Sequence, residues 1–301
     1  MGIQAYDYKT GSQLWAAAFD FTPTKTIGKP GGNVKAWGVY GAVAEPLVVG
    51  RDVYVLDMGN RKNQYLKKYD INSGRLLWTS PEIKGAKAIP NMYLIDDVVV
   101  LQIGGAVELQ YITHTKDSDG NITIRHIIST KNVKPTGVQA FSASDGKAMW
   151  DSERFKKGIT NMMESDGSVI VCSGKALYKM DVKTGAEQYE VDVKADGIGL
   201  TEMILPWKDQ IIIVSDKGVS SHNVSDGQLK AVNKYKKSGM EQILDNKLIM
   251  KTSKDDIACY DLDSIKYREY NARKGAVSHL MEQGKYVYVY EKKTLTKLST
   301  D

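Results

Sequence analysis

The chain has 301 residues, 42% apolar and 26% charged, an ordinary globular balance near the upper size for one domain. Its net charge is +5, from 41 basic against 36 acidic residues, too mild an excess to imply a nucleic-acid partner. Two cysteines, Cys172 and Cys259, lie far apart with no CxxC pattern, which excludes a disulfide framework and a thiolate zinc site, and the sequence has no run of 18 apolar residues, the length a membrane-spanning helix needs.

The first element is the phrase "AYDYKTGSQLW" at 5–15. Its opening residues alternate as a strand. Asp7 is placed to accept hydrogen bonds from backbone N–H groups two and three residues on, and so to start a tight turn. Gly11 supplies the positive φ that residues with side chains avoid. The chain then reverses into a second strand carrying Trp15. The phrase is therefore a β-hairpin with a Trp at a set place on its outer strand.

The same phrase returns along the chain, first as "KYDINSGRLLW" at 68–78 and then as "AFSASDGKAMW" at 140–150. Weaker copies are "KMDVKTGAEQY" at 179–189 and "SHNVSDGQLKA" at 221–231. "CYDLDSIKYRE" at 259–269 keeps the Asp but puts Ile265 in the glycine slot, and "KLSTD" at 297–301 is a last trace. Two further strands precede each later hairpin, as in "NMMESDGSVIVCSGKALYKMDV" at 161–182. The unit is four short antiparallel strands, here termed A to D, in about 40 residues, which is the period of a β-propeller blade. Seventeen tyrosines against four phenylalanines suit such half-exposed strands.

The repeats resemble those of the PQQ-like, quinoprotein alcohol dehydrogenase-like β-propeller family over essentially the whole chain. Ala5, Asp7, Thr10, Gly11 and Trp15 match its phrase in full. Lys68, Asp70, Ser73, Gly74 and Trp78 match in part, and Ala140, Gly146 and Trp150 match with Ser142 in place of the Asp. The resemblance implies an all-β fold, with residues 1–301 as a single propeller domain of seven four-stranded blades, eight being the alternative. It also implies that Asp7, Gly11, Trp15, Asp70, Gly74, Trp78, Gly146, Trp150, Asp181 and Gly185 dock blade to blade, and that the three tryptophans are largely buried there. The first copy supplies only strands C and D and the last only A, B and C. The expectation is that N-terminal strands are missing, a segment that would also hide any export signal or lipid-anchor cysteine.

Two steps between copies exceed the blade length. The first excess, 21–41, joins strand D of blade one to A of blade two. The second, 107–135, joins B to C of blade three and reads as a long hairpin of its own about a "DSDGN" turn. D–A and B–C connections leave a blade by the same face, so both insertions are expected on one face, the usual place of a repeat protein's binding surface. Candidate partner-binding residues are Trp37, Tyr40, Lys29, Lys35, Tyr111, His114 and His126, with Lys25, Lys131 and Lys134 as a basic rim. Trp207, in the "LPWKDQ" turn between A and B, is either packed by a neighbouring blade or an anchor for a partner.

The chemistry that a quinoprotein needs is not in the sequence. There is no vicinal cysteine pair and no identifiable Glu–Asn–Asp calcium set. Asp117, Asp119 and Asn121 lack the downstream Glu of a calcium loop and sit where a hairpin must turn. His114 and His126 have no placed third ligand, and His222 and His279 have no nucleophile beside them. No cofactor and no metal are expected. The non-catalytic branch, similar to outer-membrane assembly lipoproteins, implies a monomeric binding or scaffold protein of the periplasm or cell envelope, with another protein as partner. The rival readings are an oxidoreductase remnant and a small-ligand or sugar sensor.

Overall fold

The structure is a computed structural model that describes residues 2–18, 35–40, 43–58, 64–152, 155–235, 238–252, 257–264, 266–270, 279–283, 286–291 and 293–299. In chain order, β1 (Gly2–Tyr6) and β2 (Gln13–Ala18) form a two-stranded sheet, and β3 (Lys35–Tyr40) follows. A four-stranded sheet comprises β4 (Leu47–Val49), β5 (Asp52–Met58), β6 (Gln64–Asp70) and β7 (Leu76–Thr79). The next holds β8 (Met92–Ile95), β9 (Val98–Lys116), β10 (Ile122–Ser142) and β11 (Ala148–Asp151), with β3 added at the edge of β9. Then come β12 (Met163–Ser165), β13 (Ser168–Ser173), β14 (Ala176–Asp181) and β15 (Glu187–Asp192). A 3-10 turn, Val193–Asp196, leads to β16 (Thr201–Trp207), β17 (Gln210–Ser215), β18 (Gly218–Asn223) and β19 (Leu229–Lys234). The last sheets are β20 (Ser238–Leu244), β21 (Lys247–Thr252), β22 (Ile257–Asp261) and β23 (Tyr267–Tyr270), then β24 (His279–Gln283), β25 (Tyr286–Glu291) and β26 (Thr294–Ser299). The fold class is the all-β propeller, built from four-stranded antiparallel blades.

The chain divides into two compact units, Met1–Ser173 with Lys179–Gln188, and Gly174–Tyr178 with Tyr189–Asp301. In each unit burial falls from the second strand of a blade to the fourth. β13 and β17, "SVIVCS" and "QIIIVS", are buried at every residue, while β15 and β19 alternate between exposed and half-buried. A strand covered on both faces needs an unbroken apolar run, and a rim strand covered on one face needs alternation. The first unit's main core joins Tyr54, Leu56, Leu66, Ile89, Leu101 and Phe141, and the second's joins Ile212, Val214, Leu248, Met250 and Tyr260. Cys172 and Cys259 are buried and form no disulfide.

The repeated phrase forms the turn that its residues imply. Asp7 Oδ1 accepts from the backbone N–H groups of Lys9 and Thr10 and from the Thr10 hydroxyl. Asp70 and Asp181 repeat the pattern with Ser73 and Thr184. Where Ser142 replaces the Asp, its hydroxyl pairs with Ser144 and Asp145 accepts from the Lys147 N–H.

Each ring then reaches the next turn. The indole N–H groups of Trp15, Trp78 and Trp150 donate to the carbonyls of Ile71, Ala143 and Val182, at 2.6, 3.1 and 2.7 Å. Tyr189 makes the equivalent bond to Val224 at 3.3 Å. Every acceptor is the residue after the Asp slot. The rings also lie on the turn glycines: a β-carbon on Gly74, Gly146 or Gly185 would stand 2.5–2.6 Å from the facing indole, and φ is 66°, 73° and 71° there. The tryptophans are intermediate in exposure, with most of each side chain covered, in line with the expectation that they are largely buried. They sit on rim strands, where one part of each ring meets the glycine, and Trp78 also packs on the first unit's core, 5.9 Å from the Tyr54 ring.

Candidate interaction surface

The insertion in the third blade is not a separate hairpin. Strands β9 and β10 run out of the blade without a break and pair from Ser142↔Val98 to Ile122↔Lys116. The register shifts once, between Val133 and Gly137, where the strands leave the blade. Gly104 and Gly105 face this shift with φ of 65° and 95°. The base is anchored: Val107 and Val133 are buried, Asn132 donates to the Ile159 carbonyl at 3.1 Å, and Lys134 Nζ donates to the Lys156 carbonyl at 2.9 Å. At the tip Asp117 accepts from the N–H groups of Asp119 and Asn121 and from the Asn121 amide. Its carboxyl is thereby held below the usual carboxylate range, first by the Asn121 side chain. These bonds close a turn. Among the described residues no group of three or more His, Cys, Asp or Glu is placed to hold a metal.

The first insertion joins the second. β3, from the connection between β2 and β4, pairs antiparallel with the outer part of β9, from Lys35↔His114 through Trp37↔Ile112 to Tyr40↔Leu109. The result is a three-stranded arm, β3-β9-β10, continuous with the third blade. Tyr111 lies opposite Gly38 on one side and Ile127 on the other, His114 opposite Ile124, His126 opposite Ile112, and Lys131 opposite Val107. Lys25 and Lys29 lie outside the described residues. Two residues that the sequence reading passed over stand out at the tip: Ile122 and Ile124 are 64% and 56% exposed, and Arg125 beside them is exposed too. The available signal was the alternation of "ITIR" on strands that have left the core.

The indole N–H of Trp207 has a partner within the protein. Its indole donates to Asp263 at 2.8 Å, and Lys208 Nζ reaches the same oxygen at 2.6 Å. Asn246 donates to the other oxygen at 3.2 Å. These donors, with Lys208 foremost, hold the Asp263 carboxyl down at about 2. Of the two readings of Trp207, these bonds accord with packing against a neighbouring turn, and the ring itself is half-buried.

A buried polar cluster in the second unit was also not foreseen. His222, 1% exposed, contacts Asp196 Oδ2 at 2.9 Å and Ser220 Oγ at 3.0 Å through Nε2, and the Gly227 carbonyl at 2.9 Å through Nδ1. The carbonyl only accepts, so Nδ1 carries a hydrogen. Asp196 is 26 positions away in sequence, which is why local reading missed the pair. Both contacts on Nε2 and the near-zero exposure make this a structural lock with no access for a substrate. The thiol of Cys259 is pushed up by burial, which leaves it a poor nucleophile.

Residues 62–300 match the profile of the PQQ_2 family, described as outer membrane protein assembly factor BamB. No curated protein is similar enough to count as a match. Among solved structures the chain is similar to the computationally designed Ika8 protein, at 13% identity and a TM-score of 0.52, over 99% of this chain and 90% of that one. It is also similar to BamB from Moraxella catarrhalis, at 12% identity and a TM-score of 0.43, over 85% and 82% of the two chains. The likeness to Ika8 bears on the fold alone.

Proposed function

We propose a binding role for this protein on one premise: the chain belongs to the family described as outer membrane protein assembly factor BamB. In this reading it is a non-catalytic scaffold of the cell envelope, residues 1–301 serve as one propeller domain, and its partner is another protein. The arm made by 21–41 and 107–135 is the surface that meets the partner, with Trp37, Tyr40, Lys35, Tyr111, His114 and His126 within it. One observation carries the reading: β3 and β9 pair, so the two longest insertions build one structure outside the repeated blades. Repeat proteins keep their blades for stability and vary their insertions for recognition. The exposed Ile122 and Ile124 beside Arg125 match the apolar-plus-Arg make-up of interface cores.

The test shortens the arm, replacing residues 109–130 by a two-residue turn. Full-length and shortened proteins are cross-linked in envelope extracts and their partners identified by mass spectrometry. Components of outer-membrane protein assembly should be recovered with the full arm and lost with the short one. Recovery of the same partners by both proteins would place the binding surface elsewhere.

A further inference from the structure

We infer that the outer edge of β10, residues 122–131, is a strand-addition site for an extended acidic segment of a partner protein. The inference rests on the proposed role of the arm and specifies how it binds. In the blade, the outer edge of β10 is covered. β11 pairs with residues 139–141, the Ser152 N–H donates to the Val138 carbonyl, and the Phe155 N–H donates to the Thr136 carbonyl. Asn132 and Lys134 then close the base against Ile159 and Lys156. Beyond that point the cover ends. From 122 to 131 β10 has β9 on one side, and among the described residues no strand lies on the other. β9 itself is paired on both sides, by β10 and β3.

Ten residues at the usual rise give an edge of about 33 Å. An antiparallel strand with one neighbour turns every second residue's N–H and C=O outward, a ready template for another strand. Soluble proteins ordinarily blunt such edges with proline, a bulge or inward charge. Here "ITIRHIISTK" has no proline and is rich in β-branched residues, and its pairing with β9 runs without a register shift. Ile122 and Ile124 are left in solvent at its outer end.

Charge selects the occupant. β10 has no Asp or Glu in its 21 residues, and it carries Arg125, Lys131 and Lys134 as well as His126. β3, "KAWGVY", adds Lys35 and no acid. A strand bearing carboxylates gains on both counts, and a basic strand is repelled.

The experiment uses the full chain and a ten-residue peptide of alternating Glu and Val. Its partners are the same peptide with Lys for Glu, and the Glu peptide N-methylated at every residue. Binding is read by fluorescence anisotropy and the site by amide hydrogen exchange. The acidic peptide should slow exchange within 122–131. It should bind at least about tenfold more tightly than the Lys peptide, and the double change Arg125→Glu, Lys131→Glu should weaken it by about the same factor. N-methylation at every residue should abolish binding, since it removes the ladder N–H donors from both edges and leaves the side chains. No protection within 122–131, or equal binding of the methylated peptide, overturns strand addition. If the methylated peptide binds equally but the arm-shortened protein does not bind it, only the mode is wrong and the arm stands as the surface. If the shortened protein binds the acidic peptide unchanged, both readings fall.

Discussion

At the scale of the residue, the repeated glycine answers to the tryptophan of the preceding copy. Gly74, Gly146 and Gly185 combine a positive φ with an indole where a β-carbon would stand. Where the Trp slot holds Ala231, the next glycine slot holds Ile265, so ring and glycine are lost together. In that blade Trp207, from the other end, reaches the next turn through Asp263. Trp78→Ala should therefore destabilise by about 2–3 kcal/mol, below the range for a fully buried aromatic because the ring is partly exposed. Gly146→Ala should cost at least about 1 kcal/mol, and less in a Trp78→Ala background. Urea titrations of the four proteins give the coupling; strict additivity would break the link between ring and glycine. Asp263 gives a pH signature. Its folded-state pKa of about 2 lies below the ordinary 3.8, so its stabilisation is present above 3.8 and is lost as the pH falls towards 2. Asp263→Asn should lower the urea midpoint at neutral pH, and the gap from the parent should close over that interval.

At the scale of the element, the arm and the blade meet at a definable line. The sequence placed the second insertion at 107–135, but Val107, Asn132, Val133 and Lys134 belong to the blade's anchorage. Removing 109–130 should leave the thermal unfolding midpoint within a few degrees of the parent, since the anchored residues remain. Removing 107–135 takes away two buried valines, each worth about 1.5–3 kcal/mol, and should lower the midpoint clearly. Calorimetry of the two deletions locates the line; equal midpoints would show that the base is not part of the blade. The turn at Asp117 was legible because an Asp bonds to backbone within its own loop. The register shift between Val133 and Gly137 was not, because it depends on what packs beneath it.

At the scale of the whole molecule, the chain belongs to the family described as outer membrane protein assembly factor BamB, and the binding role proposed for it can be checked against cofactor content. Purified protein should show no quinone absorption, and no calcium or zinc should be present in stoichiometric amount by elemental analysis. A metal bound at Asp117 and Asp119 would overturn the reading of that loop as a simple turn. The oxygens of Asp117 are already engaged by Asp119 and Asn121.

The sequence by itself determined the blades. A four-strand period, an Asp that seeds its own turn and a Trp at constant offset are local properties, and locality makes them readable along one chain. It also marked both insertions by their excess length. Only the tertiary structure decided that β3 crosses to β9, that Trp207 is taken up by Asp263, and that His222 finds Asp196. Each joins residues far apart in sequence, where no spacing rule operates and the partner is set by which surfaces the packed blades bring together. The edge of β10, uncovered among the described residues, belongs to the same class, since an edge is defined by which strands pair beside it.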